Sequence, residues 1–237
     1  MQPVRLFSSP ELMAEEIALE WQRLILKIEK AGGIFSGVLS GGRTASLIYR
    51  RLADKDYANT IPWHLVHLFW ADERCVPPES EESNYGNCQR FLLDHISIPQ
   101  NNIHRIRGEE NPVDESFRYS QEIKNHILLR EDQTNFFDWV LLGVGSDGHT
   151  ASLFCDQGTV NSPNLCETLR HPNTGKTRIT LTPLAIRKSH RITYHVIGRE
   201  KSHIVSELVS KSSRSEKLPA ACITGEWYLD QDAASRL

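Results

Sequence analysis

Between Asp138 and Phe154 an apolar run, Trp139 to Leu142, stops abruptly at three closely spaced glycines, Gly143, Gly145 and Gly148, and these carry Asp147 and His149. A buried strand followed by such a turn delivers an acid and an imidazole to its C-terminal tip. In open parallel sheets the crevice beyond the carboxyl ends of the strands is where ligands bind. Imidazole is the side chain that exchanges a proton near neutrality, and a carboxylate two positions away can fix its tautomer. The plainer alternative is a tight strand-to-helix turn, with Asp147 as a cap and His149 on the surface.

Around this element the chain alternates strand-like and helix-like segments. Met13, Ile17, Trp21, Leu24 and Ile28 recur at helical spacing, with Ser9-Pro10 as the N-terminal signal and Gly32-Gly33 as the stop. Strands are expected over 34–39, 63–70, 136–143, 178–181 and 191–197. Helices are expected over 44–52, 85–96, 112–129 and 200–209, with a short one opened by Thr182-Pro183. In the 112–129 helix Phe117, Ile123, Ile127 and Leu128 are expected to face the core. Alternation of this kind implies βαβ units, a mainly parallel sheet and helices on both faces. No repeat or linker divides the 237 residues, so a single domain over 1–237 is expected. The polar stretches near 76–84 and 156–176 read as flaps over a site.

Composition narrows the class. A net charge of −3 argues against a nucleic-acid partner. The amphipathic first helix, rich in Glu, is no secretory leader, no run reaches membrane-span length, and five cysteines lack a Cys-x-x-Cys pair. A cytoplasmic protein with no membrane partner is expected.

Three further groups fall at predicted strand ends. Ser40-Gly41-Gly42-Arg43-Thr44 joins a strand to a helix, where backbone N–H groups and the two hydroxyls suit an anion such as phosphate; the alternative is a Gly-Gly turn with a threonine cap. Asp72-Glu73-Arg74, with Ser83-Asn84 beyond it, puts three charges directly after an apolar strand, which is costly unless they are paired or bound to a ligand. Arg178 and Lys201 are cations near two other strand ends, either phosphate contacts or solvated charges.

Taken in order, Ser40-Gly41-Gly42, Asp72-Glu73-Arg74 with Ser83-Asn84, Gly143-Val-Gly-Ser-Asp-Gly-His-Thr-Ala-Ser-Leu-Phe154, Arg178-Ile-Thr-Leu181 and Gly198-x-x-Lys201 closely resemble the 6-phosphogluconolactonases. The resemblance spans nearly the whole chain. It implies a Rossmann-like three-layer α/β/α sandwich, shared with glucosamine-6-phosphate deaminases and ribose-5-phosphate isomerase, and hydrolysis of 6-phosphoglucono-δ-lactone in the oxidative pentose phosphate pathway. Arg43 and Ala45 depart from the family's usual Ser-Gly-Gly-Ser-Thr-Pro, and Cys155 replaces a common proline.

Ester hydrolysis of this kind needs a base, a place for the developing oxyanion and a proton for the leaving ring oxygen. His149 is expected to act as base and then acid, with Asp147 orienting it. Asp72 is expected to meet sugar hydroxyls or to serve as a second acid/base group. Ser40, Gly41, Gly42, Arg43, Thr44, Arg74, Arg178 and Lys201 are the expected phosphate-site residues, the sharing of charge among the cations being open. No cofactor is expected. No metal is expected either, since His149 lacks a second ligand at a recognised spacing. Two rival readings stand beside this one. A glucosamine-6-phosphate deaminase would carry a carboxylate shortly after the histidine, where this chain has Thr150-Ala-Ser-Leu-Phe154. A non-catalytic sugar-phosphate sensor would have little use for an Asp-His pair.

Overall fold

The computed structural model describes residues 2–127, 134–155 and 161–237. Seven parallel strands form the central sheet in the order β1 (Val4–Phe7), β10 (Glu226–Asp230), β9 (Ser189–Val196), β6 (Phe137–Leu142), β2 (Phe35–Leu39), β3 (Val66–Trp70) and β5 (Ile103–His104). Helices cover both faces, giving the three-layer α/β/α sandwich. β2 and β6, in the middle, are buried along their whole lengths, as strands covered on both faces must be.

The two faces are sorted by side-chain alternation. Phe35 and Gly37 of β2 meet α1 (Pro10–Lys30), whose Trp21 lies edge-on to Phe35 at 5.0 Å and tilted against Trp139 of β6 at 6.3 Å. The expected stripe holds in detail, since Met13, Ile17 and Trp21 are wholly buried and the Ser9 hydroxyl accepts a hydrogen bond from the Leu12 N–H at 3.2 Å. On the opposite face α5 (Pro112–Ile127) packs Tyr119 beneath the sheet. The Tyr119 hydroxyl accepts from the Trp70 N–H at 2.8 Å and donates to the Trp70 carbonyl at 3.0 Å.

The structure corrects two expectations. Phe117 is 67% exposed, because the buried stripe of α5 runs through Glu115, Tyr119, Ile123 and Ile127 and a residue two positions off that stripe points outward. The 178–181 segment is a strand, β8 (Thr177–Leu181), but it leaves the main sheet. It joins a second, antiparallel sheet between β4 (Asp72–Arg74) and β7 (Cys166–Arg170). This small sheet stands on the carboxyl-end side of β3, which β4 follows after one residue. The polar 156–176 stretch thus holds a strand, while Leu128 and Leu129 lie outside the described residues, as do residues 156–160. The expected 63–70 strand begins as a single 3₁₀ turn, Trp63–Leu65, after Pro62. Among the described residues no helix is long and apolar enough to cross a membrane.

Gly37 marks the tightest packing between α1 and the sheet, since a Cβ there would stand 2.7 Å from the Trp21 ring and 2.9 Å from Phe35. Gly37→Ala is expected to destabilise the protein by about 1–3 kcal/mol through overpacking. A urea midpoint unchanged from wild type would show that the Trp21 layer is looser than described.

Candidate active site

Every sequence-predicted site residue except Asp147 lines one cleft of about 320 Å³ at the carboxyl ends of β2, β3, β6 and β9. Asp147 reaches it through His149.

The Gly143 to Phe154 segment is an irregular turn, not the start of a helix. Thr150, fully buried, donates from its hydroxyl to the Gly143 carbonyl at 2.8 Å, and the Gly145 N–H donates to the His149 carbonyl at 2.8 Å. The loop thereby folds His149 back over its own strand. His149 Nδ1 lies 2.5 Å from Asp147 Oδ1. This bond holds the Asp147 carboxyl down from its ordinary 3.8 to about 2. A Cβ on residue 145 would fall 2.1 Å from His149 Nδ1, so a glycine is required for the pair to form. The Phe154 ring, 5.0 Å from the His149 ring, backs the imidazole and in turn meets His171 edge-on at 4.9 Å. With Nδ1 committed to Asp147, Nε2 is the nitrogen left for chemistry.

Asp72 and Glu73 are both buried, and each has a full set of donors. Asp72 accepts from the Ser152 hydroxyl at 2.6 Å and from the Asn84 side-chain amide at 3.2 Å, the same amide also reaching the Asp72 carbonyl at 2.9 Å. Glu73 accepts from the N–H groups of Arg74, Asn84 and Tyr85 at 2.7–2.8 Å and from the Ser83 hydroxyl at 3.0 Å. Burial pushes the Glu73 pKa above the usual carboxylate range, with the three backbone donors opposing the shift. Asn84 stands so close to Gly41 that a Cβ there would come 1.9 Å from its Oδ1. The tips of β2, β4 and β6 and the start of α4 (Asn84–Phe91) are therefore locked to one another.

On the β2 side the Ser40 hydroxyl donates to the Leu141 carbonyl at 2.6 Å, so its proton is spent inside the sheet. Beyond it, α2 (Arg43–Leu52) has its first intrahelical bond from the Ser46 N–H to the Gly42 carbonyl. The N–H groups of Arg43, Thr44 and Ala45 precede that bond and have no intrahelical partner, at the positive end of the helix. Arg43 itself is exposed and ion-paired with Glu200.

Arg74 and Arg178 sit directly opposite each other on β4 and β8. Arg74 donates to the Glu82 carbonyl at 2.5 Å. Among the described residues neither guanidinium has a carboxylate partner, and both Nε atoms are buried without a hydrogen bond. Burial and then the neighbouring Arg74 pull the Arg178 pKa down. Half-buried Lys201 is likewise pulled down by desolvation, with Glu200 and Asp147 opposing. Two adjacent, half-buried guanidiniums and a half-buried ammonium lining the same cleft suit an anionic ligand.

His195, inside β9, is a cleft residue that the sequence reading did not pick out. Its ring is 1% exposed, burial lowers its pKa to about 4, and among the described residues neither nitrogen has a partner. His171 and Ser152 also line the cleft without having been singled out as site residues; Ser152 lay within the quoted string.

A cleft at strand ends, with an imidazole-carboxylate pair facing unpaired cations, describes a sugar-phosphate enzyme of the α/β/α type. The family model for glucosamine-6-phosphate isomerases and 6-phosphogluconolactonases matches residues 8–229, and the chain belongs to that family. Similar proteins include the 6-phosphogluconolactonases of Aggregatibacter actinomycetemcomitans and Haemophilus influenzae, each 44% identical over 84% of this chain and over 86% and 85% of theirs. The crystal structure of a Thermotoga maritima 6-phosphogluconolactonase superposes with a TM-score of 0.82 at 27% identity, over 97% of this chain and all of that one. A monomeric glucosamine-6-phosphate deaminase shares the fold, with a TM-score of 0.81 at 21% identity over the whole of both chains.

The depressed Asp147 pKa has a defined sign. A carboxyl held at about 2, against 3.8, adds stability that is complete above about pH 4 and is lost as pH falls toward 2. The stability gap between wild type and Asp147→Asn, read from urea midpoints, is expected to shrink as pH falls from 4 to 2. A gap that instead closes near pH 6 would mean that Asp147 is not the ionised partner described.

Proposed function

We propose that this chain hydrolyses 6-phosphoglucono-δ-lactone to 6-phosphogluconate, the second step of the oxidative pentose phosphate pathway. The observation that carries the reading is the Asp147–His149 pair set in the same cleft as unpaired cations. The lactonase names of its relatives at 44% identity support it.

Water attacks the lactone carbonyl carbon, and His149 Nε2 takes the water proton as the new C–O bond forms. Collapse of the tetrahedral intermediate breaks the bond to the ring oxygen, and the imidazolium returns its proton to that oxygen. Asp147 fixes the tautomer and stabilises the imidazolium, as a carboxylate does in a hydrolase triad. No covalent intermediate is needed. Phosphate sits between the N–H groups at the start of α2, with the Gly41-Gly42 backbone and Thr44, and the charges of Lys201 and Arg178; Arg74 stands beside Arg178 and adds to the positive field. Arg43 guards the rim through Glu200. Ser40 supports the loop, because its proton is already donated to Leu141. Asp72 is a positioning residue whose two oxygens are held by Ser152 and Asn84. His195, neutral at working pH, offers a donor and an acceptor to a sugar hydroxyl. A cytoplasmic location fits this role.

Two variants and one rival substrate test the reading. His149→Ala is expected to fold normally and to lower kcat by at least about 10²-fold, the usual scale for losing a general base; near-normal turnover would remove His149 from the mechanism. Lys201→Ala is expected to weaken use of the phosphorylated lactone by about 1.5–3 kcal/mol in kcat/KM, the scale of a charge-assisted contact. It should scarcely change the slow hydrolysis of unphosphorylated gluconolactone, and equal losses on both would make Lys201 structural. With glucosamine 6-phosphate no ammonia should appear, since Thr150 to Phe154 supply no carboxylate to tune the histidine. Ammonia release outpacing lactone hydrolysis would favour the deaminase.

A further inference from the structure

At the outer edge of the main sheet, sharing no residue with the cleft, three histidines meet. His67 lies on β3, His104 on the edge strand β5 and His126 in the last turn of α5, so three separate elements each contribute one ring. One nitrogen from each ring lies within 4.8 Å of those of the other two. His67 Nδ1 is 2.9 Å from His104 Nε2, and the His126 ring lies with its centroid 4.6 Å from that of His67 and 5.4 Å from that of His104.

Three points no more than 4.8 Å apart always have a position within about 2.8 Å of all three, and small ring rotations bring that to the roughly 2.0–2.1 Å of a Zn–N bond. The surroundings are those of a metal-binding histidine set. His104 Nδ1 is 2.6 Å from Glu122 Oε1, one helical turn before His126, which leaves Nε2 with its lone pair toward the cluster. A carboxylate bonded to the far nitrogen is the usual outer partner of a metal-bound imidazole, where it fixes the tautomer and raises ligand basicity. Ser36 Oγ, 2.7 Å from His126 Nε2, fixes the third ring, and Phe69 stacks on His104 with centroids 4.3 Å apart.

We propose that His67, His104 and His126 form a binding site for a divalent transition-metal ion of imidazole preference, zinc above all, which ties β3, β5 and α5 together without entering the hydrolysis. The sequence reading weighed only His149 as a ligand. These three histidines are 37 and 22 residues apart, and no short spacing announces them.

The test is calorimetric titration of EDTA-treated, dialysed whole protein with Zn²⁺, and spectroscopic titration with Co²⁺. The expected result is one equivalent bound at micromolar or lower Kd, with the visible bands of four-coordinate cobalt and a raised Tm. His104→Ala should abolish the uptake and His149→Ala should leave it intact. Glu122→Gln, a change on the helix surface that keeps the test open should His104→Ala fail to fold, should weaken zinc binding by about 10–100-fold. The proposal is overturned if folded wild type takes up no stoichiometric metal, if His149→Ala removes the uptake, or if Glu122→Gln binds zinc as tightly as wild type.

Discussion

Two consecutive buried carboxylates, Asp72 and Glu73, hold the cleft in shape. A carboxylate withdrawn from water is costly unless its lone pairs are filled, and here the oxygens are filled from segments far apart in sequence. Ser152 is 80 residues from Asp72, and the Ser83 to Tyr85 turn brings four donors onto Glu73 and Asp72. Removing either carboxylate would leave a fan of N–H and O–H donors without acceptors inside the protein, and the strand tips bearing Gly41, His149 and Arg74 would lose their common reference. The chemistry proposed for His149 relies on this lock, and in that proposal neither acid moves a proton.

The cleft works against the charge of the molecule. The chain is net negative, yet Arg74, Arg178 and Lys201 all line the cleft without carboxylate partners among the described residues, and the amino end of α2 adds its dipole. In the free protein this is a destabilising arrangement, visible in the lowered pKa values of Arg178 and Lys201. An anionic ligand relieves it, so phosphate binding contributes more than an exposed ion pair would. In the proposed reaction that remote binding energy fixes the reacting carbonyl against a single imidazole.

Much of this was legible in the sequence because the informative groups share one location. Four motifs at predicted strand ends implied a common crevice, and the parallel sheet, the α1 stripe and the β6 strand follow from periodicity and glycine placement. What escaped has physical causes. Phe117 was assigned inward because it is aromatic, whereas the stripe through Tyr119 and Ile123 turns it to solvent. β8 looked like any other strand, since direction and partner are not written in five residues. The pairing of β1 with β10 joins the two ends of the chain through strands of four and five residues. Ser40 was read as a phosphate donor because a hydroxyl beside Gly-Gly suggests one, but a carbonyl of β6 takes its proton. His195 carries no local signal at all, because only the folded strand reveals that its nitrogens are buried, unpaired and beside the cleft.

The proposed reaction requires phosphate and reacting carbon to occupy the two ends of the same cleft. A crystal structure with 6-phosphogluconate bound tests it most directly. The phosphate is expected against the first N–H groups of α2 with Lys201 and Arg178, and the C1 carboxylate within hydrogen-bond reach of His149 Nε2. Product lying in the reverse sense, with phosphate on His149, or bound outside the cleft, would contradict the account.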